Sequence, residues 1–317
     1  MSDFINEALS LYGIKNAEVT QLRHNENCTY RVDHNGQSFC LRLKKPVQGF
    51  DLTVFGGETE MLLRGELGLI ETLAEQTDIL VQKPVKTVSG DIVARLSDGT
   101  LVSLLSWVEG ESLERVERTE EILFSAGQTL AMLRQEIEAN PGLYSFPRFS
   151  YDQELIGKLV VRAEQATEYI PAKAIRSVIK ALETVSCVMD KMSESDMKLI
   201  CHYDPGFGNL IWTGEKIGLI DWSLSGYTYS YMDIGGLISA SPDQAEQQVM
   251  LKGWESVRGK ANRRYLDAYF ALSVLLFVCC QYTRAKEWND WFPTTLEYWQ
   301  NTIFDPFSSG QPVQCIL

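Results

Sequence analysis

Asp204, Asn209 and Asp221 are the residues of this sequence whose types and spacing point most directly to chemistry. They lie in His202-Tyr203-Asp204-Pro205-Gly206-Phe207-Gly208-Asn209, which continues through Leu210-Ile211-Trp212, a polar turn Thr213-Gly214-Glu215-Lys216, and Ile217-Gly218-Leu219-Ile220-Asp221-Trp222. Four residues separate Asp204 from Asn209, the spacing at which a phosphotransfer loop holds a base and a magnesium ligand together. The two apolar runs flanking the turn predict a β-hairpin. A hairpin returns to its start, so Asn209 before the first strand and Asp221 after the second are expected at one end, able to share a metal ion. Magnesium takes hard oxygen ligands, commonly one or two carboxylates from the protein, and leaves its other positions to phosphate and water. Asn209 and Asp221 fit that demand, and Asp204 remains as the proton acceptor.

The elements that would position these groups can be read in order. Residues 3–12 carry apolar side chains at a helical period (Phe4, Ile5, Ala8, Leu9, Tyr12). Residues 17–22, 29–32 and 38–43 read as strands, the last two joined by Asn35-Gly36, a strong hairpin turn. Alternation along the third strand puts Arg42 on the face opposite Leu41 and Leu43, a face shared with Cys40 and Lys44. Residues 58–75 have a helical period. Strands are then expected at 85–88, 92–96 and 101–108, and helices at 119–138, 151–169 and 172–192, with Pro171 initiating the last. The pattern predicts an α+β chain, a small antiparallel sheet followed by a mainly helical half.

The motif His202-x-Asp204-x4-Asn209 followed by Ile220-Asp221-Trp222 resembles the catalytic loop and metal-binding strand end of the aminoglycoside phosphotransferase and choline kinase superfamily, whose usual wording is H-G-D-x4-N and I-D-[FW]. The resemblance implies a protein-kinase-like two-lobe fold, with a nucleotide-binding lobe over 1–108 and a helical lobe with catalytic loop and substrate pocket over 109–317. It implies ATP and Mg2+ as cofactors, Asp204 as catalytic base, and Asn209 and Asp221 on the metal. Phe39-Cys40-Leu41-Arg42-Leu43 resembles the strand whose cation holds the nucleotide phosphates, with Arg in place of the commoner Lys; Lys44 and Lys45 are the alternatives. Glu66-Leu67-Gly68-Leu69-Ile70-Glu71-Thr72-Leu73, followed by Pro84-Val85, resembles the wording that supplies the acid paired with that cation, so Glu66 is expected there, with Glu60 the runner-up. No G-x-G-x-x-G precedes the cation; the connection His24-Asn25-Glu26-Asn27-Cys28 takes that place. Ser106, Trp107 and Val108 fall at the family's hinge, whose backbone binds adenine. Asp233 resembles a structural Asp expected to open and cap a helix, and His202 a residue that supports the loop backbone. Tyr203 departs from the pattern, standing where the family usually has Gly.

Bulk composition bounds the partners. The chain has 317 residues and a net charge of −13, which opposes binding to nucleic acid or an anionic membrane. Its seven cysteines form no C-x-x-C pair and mostly sit in apolar runs, so they read as reduced core residues. Residues 1–12 contain Asp3 and Glu7 and no basic stretch, unlike a signal peptide, and a cytoplasmic location is expected. The longest apolar run, 268–280, is shorter than the ~20 residues of a membrane span and reads as a buried helix.

These features predict an ATP- and Mg-dependent kinase acting on a hydroxyl of a small molecule; the family leaves aminoglycosides, choline or ethanolamine, homoserine, methylthioribose and other sugars open. A protein Ser/Thr kinase of the same superfamily is the alternative enzyme, although only eleven residues separate Asp221 from Asp233 and no Ala-Pro-Glu follows. A catalytically silent nucleotide-binding protein is the alternative from another class. Acids at Asp152, Glu154, Glu164 and Glu168, together with the aromatics Trp254, Tyr265, Tyr269, Phe270, Tyr282, Trp288 and Trp291, suggest an acceptor with positive charge. No oligomeric state is read from the sequence.

Overall fold

The computed structural model describes residues 3–24, 27–46, 52–193, 196–284 and 291–313. Asn25, Glu26, Trp288 and Cys315 lie outside them. The chain opens with α1 (Asp3–Leu11), then β1 (Glu18–His24), β2 (Cys28–His34) and β3 (Gln37–Leu43). Asn35 and Gly36 close the β2–β3 hairpin with φ of 51° and 76°, the left-handed pair that matches the twist of two adjoining strands. α2 (Thr59–Gln76) follows, capped by the Glu58 carboxylate, which accepts from the Glu60 and Met61 amides. β4 (Leu80–Val81), β5 (Ala94–Arg95) and β6 (Leu101–Ser106) complete the first half.

The main sheet is antiparallel, in the order β1-β2-β3-β6-β5. One face carries Val32, Leu41, Leu43, Val102 and Leu104 against Ile5, Ala8 and Leu9 of α1. The other carries Cys40 and Leu105 toward Leu63, Leu67 and Ile70 of α2, and Arg42 points the same way as Cys40. The strand expected at 85–88 is not formed. Val85 donates to Leu104 and Pro84 makes a lone bridge to Leu105, after which Thr87–Asp91 turns back on itself; the segment pairs once and leaves. Residues 92–96 likewise contribute two strand residues, not five.

The second half begins at β7 (Glu111–Ser112). It continues with α3 (Glu120–Ala139), capped by Thr119, then β8 (Phe149–Ser150), α4 (Gln153–Gln165), capped by Asp152, and α5 (Ala172–Met192) with Pro171 before it. β9 (Leu199–Cys201), β10 (Leu210–Trp212), β11 (Ile217–Leu219) and β12 (Gly226–Thr228) lead to α6 (Met232–Ser239), α7 (Gln244–Arg258), α8 (Arg263–Gln281), α9 (Trp291–Trp299) and α10 (Asp305–Ser308). Residues 263–284 are helical throughout, 22 residues, and long and apolar enough to cross a membrane by length and composition. They outrun the apolar run that marked them, yet 72% of their apolar stretch is buried inside the molecule, packed on α5 and α6.

Two small sheets hold the segment of Asp204, Asn209 and Asp221. β8-β12-β9 forms one and β4-β11-β10-β7 the other. The second crosses the boundary expected at 108: β4 precedes it and runs parallel to β11, while β7 pairs with β10 just after it. Gly110 makes this possible, because its φ is +134° and a Cβ there would lie 2.3 Å from the Trp212 carbonyl oxygen. Of the cysteines, Cys28, Cys40, Cys201 and Cys279 are buried and free, whereas Cys187 is exposed on α5.

Candidate active site

β10 and β11 are the expected hairpin, with Leu210 opposite Leu219 and Trp212 opposite Ile217. The Ile220 amide donates to the Asn209 carbonyl, so Asn209 and Asp221 leave the hairpin side by side. The loop before it is held from two directions. Asp233 accepts from the backbone amides of His202 (3.3 Å) and Tyr203 (2.8 Å). His202 is fully buried against Trp222, its ring centroid 4.5 Å away, and its Nε2–H donates to the Ile220 carbonyl at 2.9 Å, which fixes the tautomer. His202 thus supports backbone, while Asp233 corrects an expectation: it does not cap α6, whose N-cap Tyr231 makes no side-chain bond, but restrains the loop of Asp204 through two amides. Burial raises the Asp233 carboxyl, and His202 and those amides act against the rise.

Asp204 opens to a cleft of ≈ 280 Å³ also lined by Asp221, Tyr203, Leu224, Ser273, Leu276 and Phe277. Asn209 Nδ2 donates to the Asp204 backbone carbonyl (3.0 Å) and to Asp204 Oδ2 (3.1 Å), which steadies the carboxylate and turns the Asn209 side-chain oxygen the other way. Asp204 is exposed to the cleft, yet the protein packed around it, and then the charge of Asp221, push its carboxyl above its ordinary value; His202, the Asn209 bond and Arg23 pull against them.

Arg42 and Glu66 are both buried and meet at 2.6 Å. Arg42 Nη1 lies 3.6 Å from Asp221 Oδ1. Burial opposes the guanidinium charge, but Glu66 and Asp221 more than offset it, and its pKa is raised. Arg42 Nε and Nη1 and Asp221 Oδ1 are buried without hydrogen bonds. Such groups cost free energy unless a ligand completes their hydrogen bonds, and two donors beside one carboxylate oxygen that accepts no hydrogen bond suit a phosphate accompanied by a cation. The residues present therefore fit a magnesium nucleotide. Among the described residues no three His, Cys, Asp or Glu converge on a point; a magnesium ion shared with phosphates does not require it.

The competing assignments fall elsewhere. Glu60 pairs with Arg64 and Arg95 on the solvent side of α2. Lys45 binds Asp98 and covers the Phe4 ring. Lys44 lines a second cleft, behind Glu66, with Leu62 and Arg148. At the expected hinge, Ser106 N donates to the Lys83 carbonyl, Ser106 O accepts from Gln82 and Trp107 N donates to the Ser38 carbonyl. These bonds leave the Trp107 carbonyl and the Val108 backbone. The Trp107 ring lies under the Arg31 guanidinium, 4.8 Å from its centroid.

The acids proposed for a cationic pocket do not line the cleft. Asp152 caps α4 and binds Ser150, Glu154 pairs with Lys158, and Glu164 and Glu168 face solvent. A spacing that shares a helix face does not say where the face points. Two residues without a local signal matter here. Arg23, on β1, lines the cleft beside Asp204. Arg148, largely buried, donates to the Leu62 carbonyl on α2 and to the Trp222, Ser223 and Ser225 carbonyls after Asp221, tying the helix of Glu66 to the strand end of Asp221.

The profile of the Phosphotransferase enzyme family matches residues 18–270, and so spans both the strand of Arg42 and the loop of Asp204. The chain belongs to this family. Among solved structures, the fold is similar to that of a microcompartment-associated aminopropanol kinase, at 19% identity and a TM-score of 0.76 over 98% of this chain and 99% of the other. It is also similar to an amicoumacin kinase in complex with AMP-PNP, Ca2+ and Ami (18%, 0.71, over 98% and 93%), and to a choline/ethanolamine kinase family protein from Mesorhizobium loti (16%, 0.63, over 96% and 94%). No curated protein matches. These likenesses establish the kinase-like fold of the phosphotransferase family.

Proposed function

We propose that this phosphotransferase moves the terminal phosphoryl group of ATP, with magnesium, to a hydroxyl of a small amine-bearing alcohol. The observation that carries the reading is that Asp204 and Asp221 line one cleft, with the buried Arg42 guanidinium, its Nε and Nη1 without hydrogen bonds, 3.6 Å from Asp221. Asp204 accepts the proton of the acceptor hydroxyl as its oxygen bonds to phosphorus and the bridging P–O bond to ADP breaks. Arg42, steadied by Glu66, binds phosphate oxygens in a planar, bidentate manner. Magnesium, held by Asn209 and Asp221, would neutralise phosphate charge. The raised Asp204 carboxyl suits a base, since a more basic carboxylate takes a proton more readily.

The size of the cleft favours a small acceptor. Its polar end is Asp204 and Asp221, and its walls include the rings of Phe55, Tyr203 and Phe277, surfaces that attract an ammonium group. Proteins of this fold described as aminopropanol and ethanolamine kinases make amino alcohols the first candidates. The test is ATP consumption against a panel of amino alcohols, aminoglycosides and neutral sugars. Asp204→Asn should retain nucleotide binding and lower turnover by about 10²-fold or more. Wild-type turnover in that variant would remove Asp204 from the chemistry, and no turnover with any acceptor would favour a silent nucleotide-binding protein.

A further inference from the structure

Among the described residues, Arg23 is the one cation lining the transfer cleft, and the phosphotransfer reading above leaves it without a role. Its place follows from strand register. Arg23 stands opposite Thr29, and Thr29 opposite Arg42; directly opposed residues project from the same face. Arg42, Thr29 and Arg23 therefore form a row across three strands, running from the buried phosphate-binding position out to the hairpin tip above Asp204. The β1–β2 register shifts between Gln21 and Arg23, and such a bulge re-aims the side chain that follows it. His24 is anchored by a bond to the Lys45 carbonyl at 2.9 Å, which fixes the strand end beyond the bulge.

The guanidinium reaches the catalytic loop. A Cβ on Gly208 would lie 3.3 Å from Arg23 Nη2 and 2.8 Å from Glu114 Oε1, so both charges approach the backbone between Asp204 and Asn209. Arg23, Glu114, Asp204 and Asn209 also line a second opening of ≈ 420 Å³ on this side of the loop. Among the described residues Arg23 makes no hydrogen bond and no ion pair, while every other arginine beside the site is engaged: Arg42 by Glu66, Arg148 by carbonyls, Arg118 by Glu246. In a chain of net charge −13, an arginine held over the base and the metal carboxylate with no fixed partner among the described residues is disposed for an anion that is present only part of the time.

We infer that Arg23 is a catalytic residue that binds the non-bridging oxygens of the phosphoryl group in transit between ADP and the acceptor. The step itself is unchanged: the acceptor oxygen gains the phosphorus, ADP keeps the bridging oxygen and its electron pair, and the proton passes to Asp204. Arg23 neutralises charge that spreads over the equatorial oxygens, the role for which a guanidinium is worth most in phosphoryl transfer.

The inference rests on the phosphotransfer reading and is tested apart from the identity of the acceptor. Binding of Mg·ADP is measured by calorimetry with and without aluminium fluoride, which stands in for the planar phosphoryl group, in the wild type, Arg23→Gln and Arg23→Lys. Arg23→Gln should weaken the fluoride complex by about 10²-fold or more and leave Mg·ADP affinity within about threefold, with Arg23→Lys between the two. Equal affinities in wild type and Arg23→Gln overturn the inference. So does an equal loss for both ligands, which would make Arg23 a ground-state nucleotide contact. A wild-type protein that binds no Mg·ADP would overturn the phosphotransfer reading and this inference with it.

Discussion

Tyr203 has a φ of +78° and Asp221 one of +59°, so the two residues that flank the reacting region are held in left-handed backbone. Aspartate tolerates this conformation better than tyrosine, and the cost at Tyr203 is offset locally. Its ring stacks on Tyr151 at 4.3 Å and 11°, and Tyr151 is itself fixed by donating to the Leu224 carbonyl. Where the family pattern has glycine, this chain therefore exchanges backbone ease for an aromatic wall beside Asp204. Tyr203→Gly should relieve about 1–2 kcal/mol of strain and lose a ring contact of about 0.5–1.5 kcal/mol. Tyr203→Ala loses the ring and keeps the strain. Denaturant unfolding should therefore rank Tyr203→Gly above Tyr203→Ala by about 1 kcal/mol, and the reverse order would show that the left-handed backbone is not strained. The pH profile offers a second check at the same site. Asp204 must be ionised to accept a proton, and the protein packed around it together with the Asp221 charge raises its pKa, so kcat/KM should rise with pH through a value above 3.8. An acid limb at or below that value would show that Arg23 and Asn209 outweigh both.

At the scale of elements, the crossing of α3 and α7 depends on reciprocal glycines. A Cβ on Gly127 would lie 1.8 Å from the Met250 carbonyl oxygen, and one on Gly253 2.0 Å from that of Phe124, so backbone meets backbone with no side chain able to yield. Gly157, inside α4, has nothing within 4 Å of the corresponding position. Gly127→Ala should destabilise by about 1–3 kcal/mol or more, whereas Gly157→Ala should stabilise by about 0.5–1 kcal/mol; thermal unfolding of both variants checks the sign. Helices were the most legible part of the sequence. α2, α3 and α5 begin and end within a residue or two of expectation, because their apolar period runs for several turns and Glu58, Thr119 and Pro171 mark their starts. The strands expected at 85–88 and 92–96 were misread because a short β-rich run looks the same whether it pairs along its length or touches a sheet once. At the site, the hairpin argument correctly brought Asn209 and Asp221 together, and alternation turned Arg42 away from Leu41 and Leu43. Asp233, Arg23 and Arg148 were misread or missed, since their contacts join segments tens of residues apart and leave no trace in local spacing.

For the whole molecule, the candidate ligand groups come from both halves of the chain: Arg42 and Glu66 from β3 and α2, Asn209 and Asp221 from the β10–β11 hairpin. A magnesium nucleotide that touches both should stabilise the folded protein as a unit, by about 2.7 kcal/mol at a hundredfold excess over Kd. Thermal unfolding of the wild type should move up by several degrees with Mg·ATP, and Asp221→Ala should abolish the magnesium-dependent part. An undiminished shift would place the ion elsewhere. The halves are also joined before any ligand binds, because Leu80–Val81 lies against Gly218–Leu219 in one sheet while Glu111–Ser112 closes the other edge. That arrangement bears on how such chains can be recombined. A chimaera joined at the hinge would take the β10–β11 hairpin from one parent and the strand beside it from another, mismatching neighbours that pack in one sheet. The workable seam lies upstream of residue 80, so in a shuffled library the survivors should carry β4 with that hairpin, even though more than a hundred residues separate them in the gene.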